Sequence, residues 1–232
     1  MRFEPEIAGV DIILVGEFNP TIFAPQWFSA NRLLRAGAAE SADVQVIHPD
    51  FTSFGADWLR VQVTRERFTA GSTQAPFARL RDLVHRTFRE HLFHTPVRAF
   101  GINHSVHFLV DSLTTRDRIG NTLAPLDPWG QWRERLNLDG QRGGMTSLRM
   151  SQNNPSDRAE GGQVNVTVEP SHRVGQTSGR GVFVSVNDHF AGSPDSPGSA
   201  EKLMETLASE FEGSLKRGEG IVDHIMSLAT AK

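Results

Sequence analysis

Two apolar periodicities alternate along this chain, and their order constrains the fold more than any motif does. Runs with a period of two, and short continuous apolar runs, read as strands; stripes with a period near 3.6 read as helices. A strand-like run from Val10 to Phe18 leads to a helix-like segment, two more strand-like runs and an amphipathic helix. A long strand, a helix, three strands and a last helix complete the series. That order predicts an α+β sheet protein.

Asp11 to Phe18 is apolar on both faces, as a buried strand is, and Asn19-Pro20 stops it. Phe23 to Leu34 reads as a helix with Pro25 in its first turn and Gly37 beyond its end. Val44 to Ile47 is a short strand. Trp58 to Thr64 alternates as a second, after a turn at Phe54-Gly55 or Asp57. Pro76 to His94 carries the stripe Phe77, Leu80, Val84, Phe88 and Leu92, and Thr95-Pro96 ends it. Val97 to Val110 sets Ile102, His104, Val106, Phe108 and Val110 on one face, with Asn103, Ser105, His107 and Leu109 on the other.

Residues 1–112 therefore read as βαββαβ, the ferredoxin-like order. Residues 113–232 read as a proline-broken loop, a short helix at Trp129–Arg135, a three-stranded antiparallel meander and a C-terminal helix. The meander strands are Met145–Met150, Gln163–Glu169 and Val182–Val186. The last helix carries Leu203, Leu207, Phe211 and Leu215, and Gly218 and Gly220 interrupt it. The two parts are expected to share a core, as two halves or as one domain.

Composition narrows the chemistry. The chain of 232 residues has no Cys, which excludes thiolate nucleophiles and Cys-held metals or clusters. No apolar run approaches the ~20 residues needed to span a bilayer. The opening Met1–Glu6 lacks the apolar core of a secretory signal, so the cytoplasm is the expected compartment, with no membrane partner. Arginine dominates the cations: of 24 Lys and Arg, only Lys202, Lys216 and Lys232 are lysines. This reads as GC-rich coding or as selection for bidentate anion binding. The net charge of −3 speaks against a dedicated nucleic-acid binder. Arginines crowd Arg60 to Arg98, and acids crowd Asp188 to Asp223. The two regions suit each other within one molecule or between subunits.

Few residues are candidates for chemistry. His104 and His107, with Asp188 and His189, would form a catalytic or metal-binding group if their strands were neighbours. His104 and His107 are three apart, so a bulge is required to unite them. The expected outcome is no metal and no cofactor. Gly140–Gly144 and Gly175–Gly181 are glycine-rich and carry Arg142 and Arg180, candidate anion-binding residues. They lack the strand–loop–helix setting and the Lys-Ser/Thr of a P-loop, so they read first as hairpin turns.

Two resemblances follow from these segments. The layout of ferredoxin-like halves with a basic helix, histidines and glycine-rich loops is similar to that of CRISPR RNA-processing endoribonucleases. Their glycine-rich loop lies close to the C-terminus, whereas here a helix follows it. The segments Val15-Gly-Glu-Phe-Asn-Pro20, Ala99-Phe-Gly-Ile-Asn-His104 and Phe183-Val-Ser-Val-Asn-Asp-His-Phe190 resemble, in placement, a widespread group of uncharacterised bacterial α+β proteins of about this length. The resemblance spans most of the chain and implies no activity and no site residues.

The function expected from the sequence is a non-enzymatic binding or assembly subunit of a bacterial multi-protein system, acting as a homo-oligomer or with a protein partner. The alternatives are an RNA-binding or RNA-processing protein of ferredoxin-like type and a His-dependent hydrolase.

Overall fold

In the computed structural model, which describes residues 1–136, 143–158, 162–192 and 200–230, strand β1 (Ile7–Gly16) buries Val10, Ile12 and Leu14. Asp11, Ile13 and Val15 stay half-buried, so this strand is covered on one face only, not on both. Asn19 stops it by accepting a hydrogen bond from the Thr21 N–H at 3.2 Å, which caps a single 3₁₀ turn.

The expected helix from Phe23 to Leu34 is two short helices, α1 (Pro25–Ala30) and α2 (Ala36–Glu40). Asn31 donates its side-chain N–H to the Trp27 carbonyl at 2.8 Å, and Arg32 adopts a left-handed φ of 57°. That turn brings Leu34 back beside Phe28 in the core. Gly37 then lies inside α2 rather than beyond a helix end.

A four-stranded meander follows: β2 (Asp43–His48), β3 (Phe51–Ala56), β4 (Leu59–Thr64) and β5 (Arg67–Ser72). The sequence predicts β2 and β4 and misses β3 and β5. Both missed strands are rich in Thr, Ser and Gly, and their buried polar groups find partners. Thr52 donates to the Pro20 carbonyl at 2.9 Å, and Ser53 to Gln45 at 3.0 Å. Asp57 makes the turn, with φ 55°, while Gly55 stays in β3. Trp58 lies outside β4, which then alternates without a slip: Leu59, Val61 and Val63 in, Arg60, Gln62 and Thr64 out.

Helix α3 (Ala78–Arg86) runs into one π turn at Thr87–His91, where the Thr87 hydroxyl donates to the Leu83 carbonyl at 2.7 Å. Its stripe is buried at Leu80, Val84 and Phe88, as its spacing predicts. Strand β6 (Val97–Leu109) follows, also with the predicted alternation. The amino-terminal half thus has six strands where βαββαβ has four, so the ferredoxin-like order is replaced by strand, helix pair, meander, helix, strand.

Helix α4 (Leu113–Leu123) occupies the segment expected to be a loop. Ser112 caps it by accepting from the Thr115 N–H at 3.0 Å, and Ile119 is its one fully buried aliphatic side chain, too little to make a stripe. The expected short helix is α5 (Trp132–Arg135), starting three residues later than the sequence predicts. The expected meander is β7 (Leu148–Asn153), shifted three residues from Met145–Met150, β8 (Gln163–Pro170) and β9 (Gly181–Ala191). Helix α6 (Ala200–Ser227) passes straight through Gly218 and Gly220. A side-chain carbon at Gly218 would sit 3.3 Å from His104 Nδ1, so this glycine serves close helix–sheet approach rather than a break.

Among the described residues, nine strands form one antiparallel sheet in the order β2-β3-β4-β5-β1-β6-β9-β8-β7, with β6 and β9 joining the two halves. The helices lie on one face. There Phe18, Phe23, Phe28, Phe68 and Phe88 pack edge to face or tilted, with centroids 5.0 to 6.4 Å apart in the contacting pairs. The basic middle and acidic end meet inside the molecule. Arg81 pairs with Glu212 at 3.3 Å, and Arg89 of the π turn with Glu201 and Glu205 of α6. No helix among the described residues is long and apolar enough to cross a membrane.

Phe68 is fully buried and touches Phe18, Phe23 and Phe88, so Phe68→Ala is expected to cost about 3–5 kcal/mol in urea unfolding. Phe93→Ala, at a site 53% exposed, should change stability by less than about 0.5 kcal/mol.

Candidate functional site

The β6–β9 ladder decides where the four candidate residues go. Ile102 pairs with Asp188, His104 with Val186, Gly101 with His189 and His107 with Phe183. Side chains alternate along a strand, so His104 and Asp188 lie on the helix-covered face, and His107 and His189 on the opposite, open face. No bulge interrupts the ladder here. The four therefore do not converge on one site. No group of three or more His, Asp or Glu among the described residues is placed to hold a metal ion.

Asp188 is the centre of a buried ion cluster. Its side chain is 2% exposed and receives Arg158, whose side chain is wholly buried, on one oxygen. Arg217 of α6 reaches the other oxygen at 2.9 and 3.2 Å. Arg217 also bonds Asp157 at 2.8 Å, and Arg158 donates to the His189 carbonyl at 2.9 Å while its guanidinium stacks 4.1 Å from the Phe190 ring centroid. Burial, then the neighbouring Arg217 charge, pull Arg158 below its ordinary pKa. Asp188 is thus occupied as the counter-ion of two arginines and is not free to act as a general base. Sequence reasoning missed both arginines, because Arg158 comes from a polar turn and Arg217 from a helix.

The histidines divide the same way. His104 is buried against Gly218, with no hydrogen-bond partner for Nδ1 among the described residues. On the open face, His107 Nδ1 shares a hydrogen bond with the Ser171 hydroxyl at 2.8 Å, and its ring lies 4.7 Å from that of Phe183. Burial is the main cause holding His104, His107 and His189 below the ordinary histidine pKa. Arg180 donates to the Asp111 carbonyl at 2.8 Å and so ties down the loop before β9. Arg142 lies outside the described residues.

The open face carries a feature that no single segment reveals. Arg60, Gly71, Asp11, Asn103, Asn187, Asn165 and Ser151 lie in register on seven neighbouring strands. Arg60 reaches over Gly71 to Asp11 at 2.9 Å, where any side chain at 71 would occupy the carboxylate's place. Asn187 donates to Asn103, Asn165 to Asn187 at 3.3 Å, and Ser151 to Asn165 at 2.6 Å. Ser105 and Ser185 pair beside this row at 3.2 Å. The period-two pattern marks each strand's polar face, but only the register joins them.

A cavity of about 380 Å³ opens on the helix side between α4, α5 and the ends of β8 and β9. Ile119, Trp132, Met145, Val168 and Val182 line it, with Arg116 at its rim. Arg116 is engaged by the Gly179 carbonyl at 2.7 Å and by Asp117.

No protein-family model matches this chain, and no curated protein matches it either.

Asp188→Asn leaves Arg158 buried without its counter-charge and is expected to cost about 3–5 kcal/mol in urea unfolding. Glu17→Gln, which removes the exposed Arg98 pair, should cost less than about 1 kcal/mol. Because the three histidines have folded pKa values below their unfolded ones, the unfolded chain binds more protons in mild acid. Their contribution to stability is complete above the unfolded value of about 6.5 and is lost as pH falls towards the folded values. His104→Leu should flatten this slope by up to about 1.4 kcal/mol per pH unit, measured as unfolding free energy from pH 7.5 to 5. An unchanged slope would show that His104 contributes nothing to it.

Proposed function

We propose that this chain is a non-enzymatic binding subunit that acts in the bacterial cytoplasm through protein–protein contacts, assembling with itself through its β7 edge. The observation that carries the reading is the contrast between the sheet's two edges. β7 pairs with β8 without a register shift, contains no proline and is exposed from Arg149 to Asn153, with Met150 63% exposed. An edge of that kind presents unpaired backbone donors and acceptors and templates another strand. At the other edge, Val44 and Ile47 of β2 are also exposed, but a register shift between Val44 and Val46 disturbs the strand. The Gln45 side chain folds back to the Asp43 carbonyl at 2.8 Å. Two β7 strands related by a two-fold axis would pair antiparallel and continue the sheet across both copies.

The separation of His104 and Asp188 from His107 and His189 counts against a His-dependent hydrolase. An RNA-binding sheet wants stacked, exposed aromatics, and on the central strands of the open face Phe183 is the one aromatic, already against His107. The charge split gives no independent support for a partner, because α6 already satisfies α3 and its π turn.

Light scattering of the purified chain is expected to give twice 25.6 kDa. Met150→Lys, the substitution natural edges use against pairing, should return the monomer, and Ile47→Lys on β2 should leave the dimer intact. A monomeric parent chain, or a dimer indifferent to Met150→Lys, would overturn the reading.

A further inference from the structure

On the open face, strands β4, β5 and β1 form a shallow depression of about 330 Å³ lined by Arg60, Gln62, Arg67, Thr69, Asp11 and Ile13. We propose that this depression is an anion site for a small phosphate-bearing molecule, held between Arg60 and Arg67.

The registers set the geometry. Arg60, Gly71 and Asp11 form one row; Gln62, Thr69 and Ile13 form the next; Arg67 stands beside Val15 beyond them. The two arginines therefore flank a floor that offers an amide, a hydroxyl and one methyl-rich side chain. Arg60 is positioned rather than consumed. Its Nη2 bonds Asp11 at 2.9 Å, and its side chain remains 51% exposed. A guanidinium has five N–H donors, so this contact fixes its plane and leaves donors for a ligand. Gly71 makes the arrangement possible by leaving room for Asp11. Arg67 is exposed and makes no ion pair with the described residues. Two cations against the single carboxylate of Asp11 leave the lining with a net positive charge in a chain whose total is −3.

These features select the ligand's chemistry. Planar guanidinium forks match phosphate oxygens in pairs. Gln62 and Thr69 can donate to the same group or accept from a neighbouring hydroxyl. The volume suits a small molecule, at the lower end of ligand sites. The depression is open to solvent, which favours weak, exchangeable binding over tight capture.

Isothermal titration with inorganic pyrophosphate at low ionic strength tests this. The parent chain should show saturable binding in the millimolar range or tighter. Arg67→Gln should weaken it about tenfold or more, since a charge-assisted contact is lost. Its circular dichroism and Tm should not change, because the exposed side chain makes no hydrogen bond or ion pair with the described residues. Arg149→Gln, on the same face but outside the depression, should leave binding as it was. No saturable binding, an Arg67→Gln variant that binds like the parent, or equal weakening by Arg149→Gln would each overturn the proposal; the last would mean diffuse surface charge.

Discussion

The ladder from Ala99–Ala191 to Leu109–Gly181 joins β6 to β9 and is the constraint on which the rest of this molecule depends. Neither half closes its sheet alone. β1 to β6 leave β6 as an edge, and β7 to β9 form a three-stranded meander with one covered face. Pairing β6 with β9 removes both edges and aligns the alternation of nine strands. Once the register is set, every even-numbered residue from Ala99 to Phe108 of β6 and from Val182 to Phe190 of β9 faces the helices and every odd-numbered one faces outwards; before Ala99, a register shift puts Val97 in the core and leaves Arg98 exposed. A slip of one residue would move His107 and Asn103 into the core and expel Phe100 and Ile102.

That register also explains why two polar groups lie under helix α6. Asp188 and His104 sit at positions that parity assigns to the core. Asp188 is accommodated by two arginines, one from the β7–β8 connection and one from α6. His104 is accommodated because Gly218 lets the helix approach and because burial holds the ring neutral. Apolar residues at both positions could give equal or greater stability, since buried ion clusters repay their desolvation only in part. What the cluster adds is a connection between the helix and the turn that ends β7, the strand proposed here as the assembly edge.

Legibility in the sequence followed the strength of the apolar pattern. Helix α3 and strands β4, β6, β8 and β9 announce themselves because large aliphatic and aromatic residues recur at one period. β3 and β5 do not, because their buried Thr52, Ser53 and Ser72 break the apolar pattern and are satisfied by hydrogen bonds, Thr52 to the distant Pro20 carbonyl and Ser53 and Ser72 to the nearer Gln45 and Gln74. α4 does not, because Ile119 alone fills its share of the core. Gly218 looks like a helix breaker until the imidazole beneath it is seen. The candidate residues show the same limit. Parity already separated His104 from His107, but the partners of Asp188 come from residues 158 and 217 and carry no local signature. The row from Arg60 to Ser151 needs seven strands in register before it exists.

The two surfaces to which we assign roles are those the helices leave uncovered: the β7 edge and the polar open face. Both presuppose that the nine strands behave as one cooperative sheet across the β6–β9 seam. Native-state hydrogen exchange of the β6 and β9 amides tests that most directly. The account predicts that these amides exchange only through global unfolding, with the same free energy as β1. Exchange of β7 to β9 through a separate, lower-energy opening that leaves β1 to β6 protected would contradict it.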